Sequence, residues 1–153
     1  VSAKLIVAGY LSPYRYTGFI YGSEIARGGD VFELKPSEWL SANEIAAAKL
    51  VQMNEFNAQS QPTMGWPHVP VVARAYMDQI TRSKSLTPAQ ATELNNALTA
   101  VERASAADRA AAVTALEALL PAIEKQGGTA NPIDAAKYRA MVATMRAYVA
   151  APK

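Results

Sequence analysis

The sequence predicts an α+β protein, with a small antiparallel β-sheet at the amino end and a helical bundle at the carboxy end. Three observations carry that class. The stretch Thr17 to Leu34, TGFIYGSEIARGGDVFEL, is dense in aromatic and β-branched residues and is broken by glycines. Roughly a hundred residues with apolar positions spaced three to four apart follow it. Helix-start signals stand ahead of several of those apolar stripes.

The elements follow in order. Ala3 to Tyr10 (AKLIVAGY) is a short apolar run and reads as a buried strand. Leu11 to Tyr16 (LSPYRY) reads as a loop or a strand edge, because Pro13 denies the ladder a donor. Gly18 to Glu24 is a second strand, Arg27-Gly28-Gly29-Asp30 a turn, and Asp30 to Leu34 a third strand. Three short strands alone are marginally stable. Lys35-Pro36-Ser37 closes the β region. Ser41-Ala-Asn-Glu44 is a capping box, and its helix is expected to run through about Met53. Asn54 to Pro67, with two prolines and a glycine, is expected to be an extended linker pinned by Phe56 and Trp66.

Four helices are expected beyond it. His68 to Arg82 carries Val69, Val72, Tyr76 and Ile80. Thr87-Pro88-Ala-Gln90 caps a helix bearing Ala91, Leu94, Leu98 and Val101. Ser105-Ala-Ala-Asp108 starts the next, with Val113, Leu116, Leu120 and Ile123. A kink or local end is expected at Pro121, and a stop at Gly127-Gly128. Asn131-Pro132-Ile-Asp134 caps the last, which carries Tyr138, Met141, Val142, Met145 and Val149. Short connections make the last three neighbours antiparallel. The expected division is 1–36 for the β-rich head, 37–67 for a helix plus linker, and 68–153 for the bundle.

Composition narrows the function classes. Half of the 153 residues are hydrophobic and 18% are charged, which is a globular composition. A net charge of +2 with scattered basic residues gives no nucleic-acid footprint. No apolar run approaches the roughly 20 residues of a membrane span. The absence of cysteine excludes disulfides, thiolate metal sites and a cysteine nucleophile. It suits an exported protein. The start at Val1, with no signal peptide, is expected of a processed form or a fragment.

Over GFIYGSEIARGGDVFELKPSEWLSANEIAAA the chain resembles the carboxy-terminal end of LVIVD-repeat proteins, exported bacterial proteins with propeller-like repeats. Gly18, Tyr21, Gly22, Ser23, Glu24, Arg27, Gly28, Asp30, Val31 and Phe32 match the first part of the pattern. Ser41, Asn43 and Glu44 match the helix that follows. Asn57, Gln59, Gln61, Trp66 and Pro67 match the polar segment. Gly29 departs from it, standing where the family usually has a leucine that would pack into the sheet. The resemblance covers about residues 5 to 80 and brings no catalytic residues with it. It implies an incomplete propeller blade with a helical tail, in an extracellular or periplasmic protein. An incomplete blade has exposed edges, so the implied partner is another protein chain, either upstream repeats or a second copy.

The candidate site residues are few. Tyr10, Tyr14, Tyr16, Phe19 and Tyr21 form an aromatic cluster, read as an interface, with internal packing or a ligand platform as alternatives. Arg15 among them could stack on an aromatic face. Glu24, Arg27 and Asp30 are read as turn chemistry with an ion pair, ahead of cation binding or acid–base work. His68 is the sole histidine and lacks partner ligands in the sequence. Met141 and Met145 read as core, and Lys137, Arg139 and Arg146 as a solvated face. No hydrolase, zinc-protease or phosphate-loop motif is present. No catalytic residue, metal or cofactor is therefore expected. The chain reads as a non-enzymatic interaction subunit. One alternative is a part of an extracellular propeller enzyme whose site lies mainly on another chain, and another is a helical ligand-binding module.

Overall fold

A computed structural model describes residues 10–16, 18–24, 28–53 and 64–151. The chain divides into two compact units, Val1–Leu40 and Ser41–Lys153. The architecture is α+β, a three-stranded antiparallel sheet followed by five helices.

The first unit holds β1 (Tyr10–Tyr16), β2 (Phe19–Glu24) and β3 (Gly28–Glu33) in the order β1-β2-β3. β1 occupies the segment read as a loop or strand edge. It is an outer strand whose register shifts between Tyr10 and Pro13, which fits a proline that cannot donate to a ladder. The Gly28-Gly29-Asp30 part of the expected turn lies in β3. Gly28 pairs with Glu24 and holds φ at 94°, a conformation that favours glycine. The chain thus reverses before Gly28, and β3 starts earlier than Asp30. Gly29 pairs with Ser23, and a Cβ there would meet nothing nearer than the Gly22 carbonyl oxygen at 4.0 Å. A side chain would fit, so the glycine is not a steric necessity. The expected Ala3 to Tyr10 strand, apart from Tyr10, lies outside the described residues, as do Arg27 and Phe56.

The second unit begins with α1 (Ala42–Lys49), which carries the full Ser41/Glu44 capping box. It stops four residues short of Met53. Gln52 and Met53 form β4, which pairs with Met64 and Gly65 of β5. Part of the expected linker is thus a strand, formed by pairing between segments that the local pattern does not connect. α1 packs against α2 (Pro70–Arg82) within this unit. Pro70 occupies the first helical position of α2, which leaves His68 ahead of the helix.

α3 (Pro88–Arg103) has the Thr87/Gln90 capping box, and α5 (Pro132–Ala150) has Asn131 accepting from the Asp134 N–H. α4 (Arg109–Gly128) runs unbroken through Pro121 and includes both glycines of the expected stop. Pro121 and Glu117 are exposed, so solvent can serve the carbonyl that Pro121 leaves without a donor. At the start of α4, Asp108 occupies the cap position without capping it, and bonds Ser105 instead. α5 packs on α2 and α4, and α3 packs on α2 and α4. Leu94, Leu98, Leu116, Leu120, Tyr138, Met141 and Met145 are buried in one cluster. The expected stripes of α3, α4 and α5 form that core, including both methionines, together with Ile80 of α2, while Val72 is buried in a second cluster with Ala47 and Ala75.

Candidate interaction site

The aromatic cluster of the head is organised by strand register. Tyr14 faces Tyr21 across β1 and β2, and Tyr21 faces Val31 across β2 and β3. Directly opposed residues project to the same side of a sheet, as do residues two apart on one strand. Tyr14, Tyr21, Phe19 and Val31 thus share one face. All four are exposed, Tyr14 at 66% and Val31 at 60%. The opposite face carries Ile20 with its partner Phe32, and Phe32 is exposed too. Tyr16 is the register partner of Phe19 and Tyr10 that of Glu24. The side chains of Tyr10, Tyr16 and Glu24 lie outside the described residues. Trp39, in the turn closed by the Ser37–Leu40 bridge, is 75% exposed.

The arrangement suits docking more than chemistry. Fully burying a valine or phenylalanine side chain is worth about 1.5–3 kcal/mol, so a covered face would gain several such terms. Asp30 sits opposite Gly22, within the ladder and not in a turn. Among the described residues, no group of three or more His, Asp or Glu could hold a metal ion. His68 is exposed ahead of α2.

In the helical unit the polar side chains bind one another. Arg82 reaches both carboxylate oxygens of Glu44 at 2.9 and 2.6 Å, while the Ser41 N–H donates to the same group at 2.7 Å. Burial alone would raise the Glu44 carboxyl, but the bonds from Arg82 and Ser41 outweigh it and hold it below its ordinary value. Arg74 donates to Asn95 at 2.7 Å and Thr99 at 2.9 Å, and forms a two-pronged ion pair with Glu102. The Asn43 amide donates to Asp78 at 2.9 Å. Asn43, Arg74, Asp78 and Asn95 border a cleft of about 260 Å³ between α1, α2 and α3.

The turn between α2 and α3 gathers side chains from three helices. Asp134 is buried and accepts from Ser83 at 2.8 Å, Asn131 at 2.8 Å and Lys137 at 3.1 Å. Burial would raise its carboxyl, but those three donors hold it below the usual aspartate range. The Ser85 carbonyl accepts from the Tyr138 hydroxyl at 2.8 Å and the Gln126 amide at 2.6 Å. Gln90 donates on to Gln126 at 2.8 Å. Burial pushes the Tyr138 phenol above its ordinary value.

The turn was not visible in the sequence. Its long-range contacts join residues 36 to 53 apart, and only the bonds of Asp134 to Asn131 and Lys137 are local. Of the residues expected on a solvated face, Arg146 is exposed and pairs there with Glu124, whereas Lys137 is half-buried and pairs with Asp134. Arg139 is exposed and borders a cleft of about 220 Å³ with Glu124, Gly127, Gly128 and Tyr138. Among the described residues, no helix is long and apolar enough to cross a membrane.

No protein-family model matches the chain, and searches of curated proteins and of solved structures found no match either.

Proposed function

We propose that this chain is a non-enzymatic interaction module whose β head extends its three-stranded sheet with strands of another chain, as the last, incomplete blade of an exported propeller-type protein would. One observation carries the reading. The head is a three-stranded sheet with large apolar side chains exposed on both faces, Tyr14, Phe19, Tyr21 and Val31 on one and Phe32 on the other. Three strands are close to the lower limit for independent stability, and exposed apolar groups on both faces mark a surface to be covered. The motif residues Gly22, Ser23, Glu24, Asp30, Val31 and Phe32 lie within β2 and β3 and supply the propeller part of the proposal.

The helical unit serves as a cap or spacer. Its buried carboxylates Glu44 and Asp134 are paired, and its apolar stripes form a main core with a smaller second cluster. The same reading assigns the chain to an extracellular or periplasmic setting.

Native mass spectrometry followed by denaturing masses of each component tests the proposal. The expected result is an assembly that contains a second polypeptide or a second copy. A lone chain of 153 residues at all concentrations would overturn it. Catalytic activity that appears only in the assembly would assign the chain to an extracellular enzyme instead.

A further inference from the structure

The cleft between α1, α2 and α3 carries a charge that its own helices do not balance. Among the described residues, Arg74 and Asp78 are the charged side chains that line it. The Arg74 guanidinium is matched by Glu102 of α3, which takes two of its nitrogens. Arg82 stands one turn beyond Asp78 on α2, within electrostatic range of it. Both of its terminal nitrogens are held by Glu44 of α1. The two arginines and their glutamates cancel, and the Asp78 carboxylate is left in excess. Asp78 is half-buried, and a charge withdrawn from water calls for a partner.

The hydrogen bonds leave a defined set of atoms at this cleft. Among the described residues, the Asn43 amide is the one donor to Asp78, and it meets Oδ2 at 2.9 Å. Asp78 Oδ1 receives none. Because Asn43 turns its nitrogen to a carboxylate, the atom it has to spare as an acceptor is Oδ1. Asn95 is turned the other way. Its Oδ1 accepts from Arg74 at 2.7 Å, so its Nδ2 remains to donate. The Thr92 hydroxyl donates to the Pro88 carbonyl at 2.8 Å and can still accept. The cleft thus offers one negative charge with two amide or carboxylate acceptors from α1 and α2, and a donor from α3.

We propose that this cleft binds a small primary amine that also carries a hydroxyl. An ammonium brings three donors and a full positive charge, which suits Asp78 Oδ1 and Asn43 Oδ1 together. The hydroxyl oxygen accepts from Asn95 Nδ2. A quaternary ammonium has the charge without the donors, and a diol has the hydroxyls without the charge. Neither satisfies both sides of the cleft. The proposal concerns the helical unit alone and is independent of the reading of the head.

Heteronuclear NMR titration of the full chain tests this, read at the side-chain amides of Asn43 and Asn95. Ethanolamine, aminopropanol and aminobutanol are the probes, and ethylene glycol and choline the controls. At least one amino alcohol is expected to give saturable shifts, ethylene glycol none, and choline binding about tenfold weaker. Asp78→Asn keeps an acceptor for Asn43 but removes the charge, and is expected to weaken amine binding about tenfold. Thr92→Lys, at an exposed position, supplies an ammonium from the chain itself and is expected to block the cleft. Circular dichroism checks that both variants fold. The absence of saturable shifts with all three amino alcohols overturns the proposal. So does choline or ethylene glycol binding as tightly as the amines. Binding that survives Asp78→Asn overturns it as well, and if that variant does not fold, binding that survives Thr92→Lys does so.

Discussion

Gly127 shows how one side chain position can be set by a neighbouring helix. It is buried in α4, and a Cβ built on it would lie 2.6 Å from the Tyr138 Cβ of α5. The α4–α5 approach therefore depends on a missing methyl group. Gly127→Ala is expected to destabilise the helical unit by about 1–3 kcal/mol despite the better helix propensity of alanine. Chemical denaturation followed by far-ultraviolet circular dichroism measures this, and unchanged stability would place the helices further apart than described. Asp134 works by a different principle. Its lowered carboxyl, like that of Glu44, contributes stability that is present above the ordinary carboxylate range and is lost as pH falls through the folded value. The helical unit is therefore expected to lose stability on going from neutral pH to about pH 3, and Asp134→Asn to flatten part of that loss. Thermal melts of both proteins across that range decide it. In the sequence Asp134 was legible as a cap residue beside Asn131. Its bond to Ser83 was not, because the partners lie 51 residues apart.

At the scale of elements, legibility followed the range of the interactions. α1, α3 and α5 announce their starts through Ser41, Thr87 and Asn131, whose side chains reach N–H groups three residues ahead. Such signals are local and survive any tertiary context. The ends were harder to read. α1 ends at Lys49 because the next residues pair with β5, and nothing near Met53 in the sequence records that partner. The glycine pair does mark the end of α4, which closes at Gly128, and a Cβ at Gly127 would meet Tyr138 of α5. A kink or local end is expected at Pro121, and α4 does not end there because Pro121 lies on its exposed side, where water can bind the freed carbonyl. The cost of the proline persists. Pro121→Ala is expected to stabilise the protein by about 1–3 kcal/mol, seen as a higher denaturation midpoint. A neutral or destabilising result would mean that the proline ring makes a contact of its own. β2 and the later part of β3 were legible as strands and β1 only as a loop or strand edge, while their shared faces were not legible, since these depend on the pairing of Tyr14 with Tyr21 and Tyr21 with Val31.

The whole molecule combines two units of different character. The helical unit has a main core from Ala73 to Met145, and its buried carboxylates Glu44 and Asp134 are paired with donors. Its stability should be independent of protein concentration. The head exposes its apolar groups, and a sheet that gains a partner strand is stabilised by mass action. Differential scanning calorimetry is therefore expected to show one transition that rises with protein concentration and one that does not. Two concentration-independent transitions would argue against association through the head. The central claim, that another chain completes this sheet, is tested most directly by residue-resolved amide hydrogen exchange of the full chain, alone at low and high concentration and in any assembly that forms. The account predicts that amides of the outer strands β1 and β3 gain protection in the assembly. Amides of both strands that exchange at the same rate under every condition would contradict it.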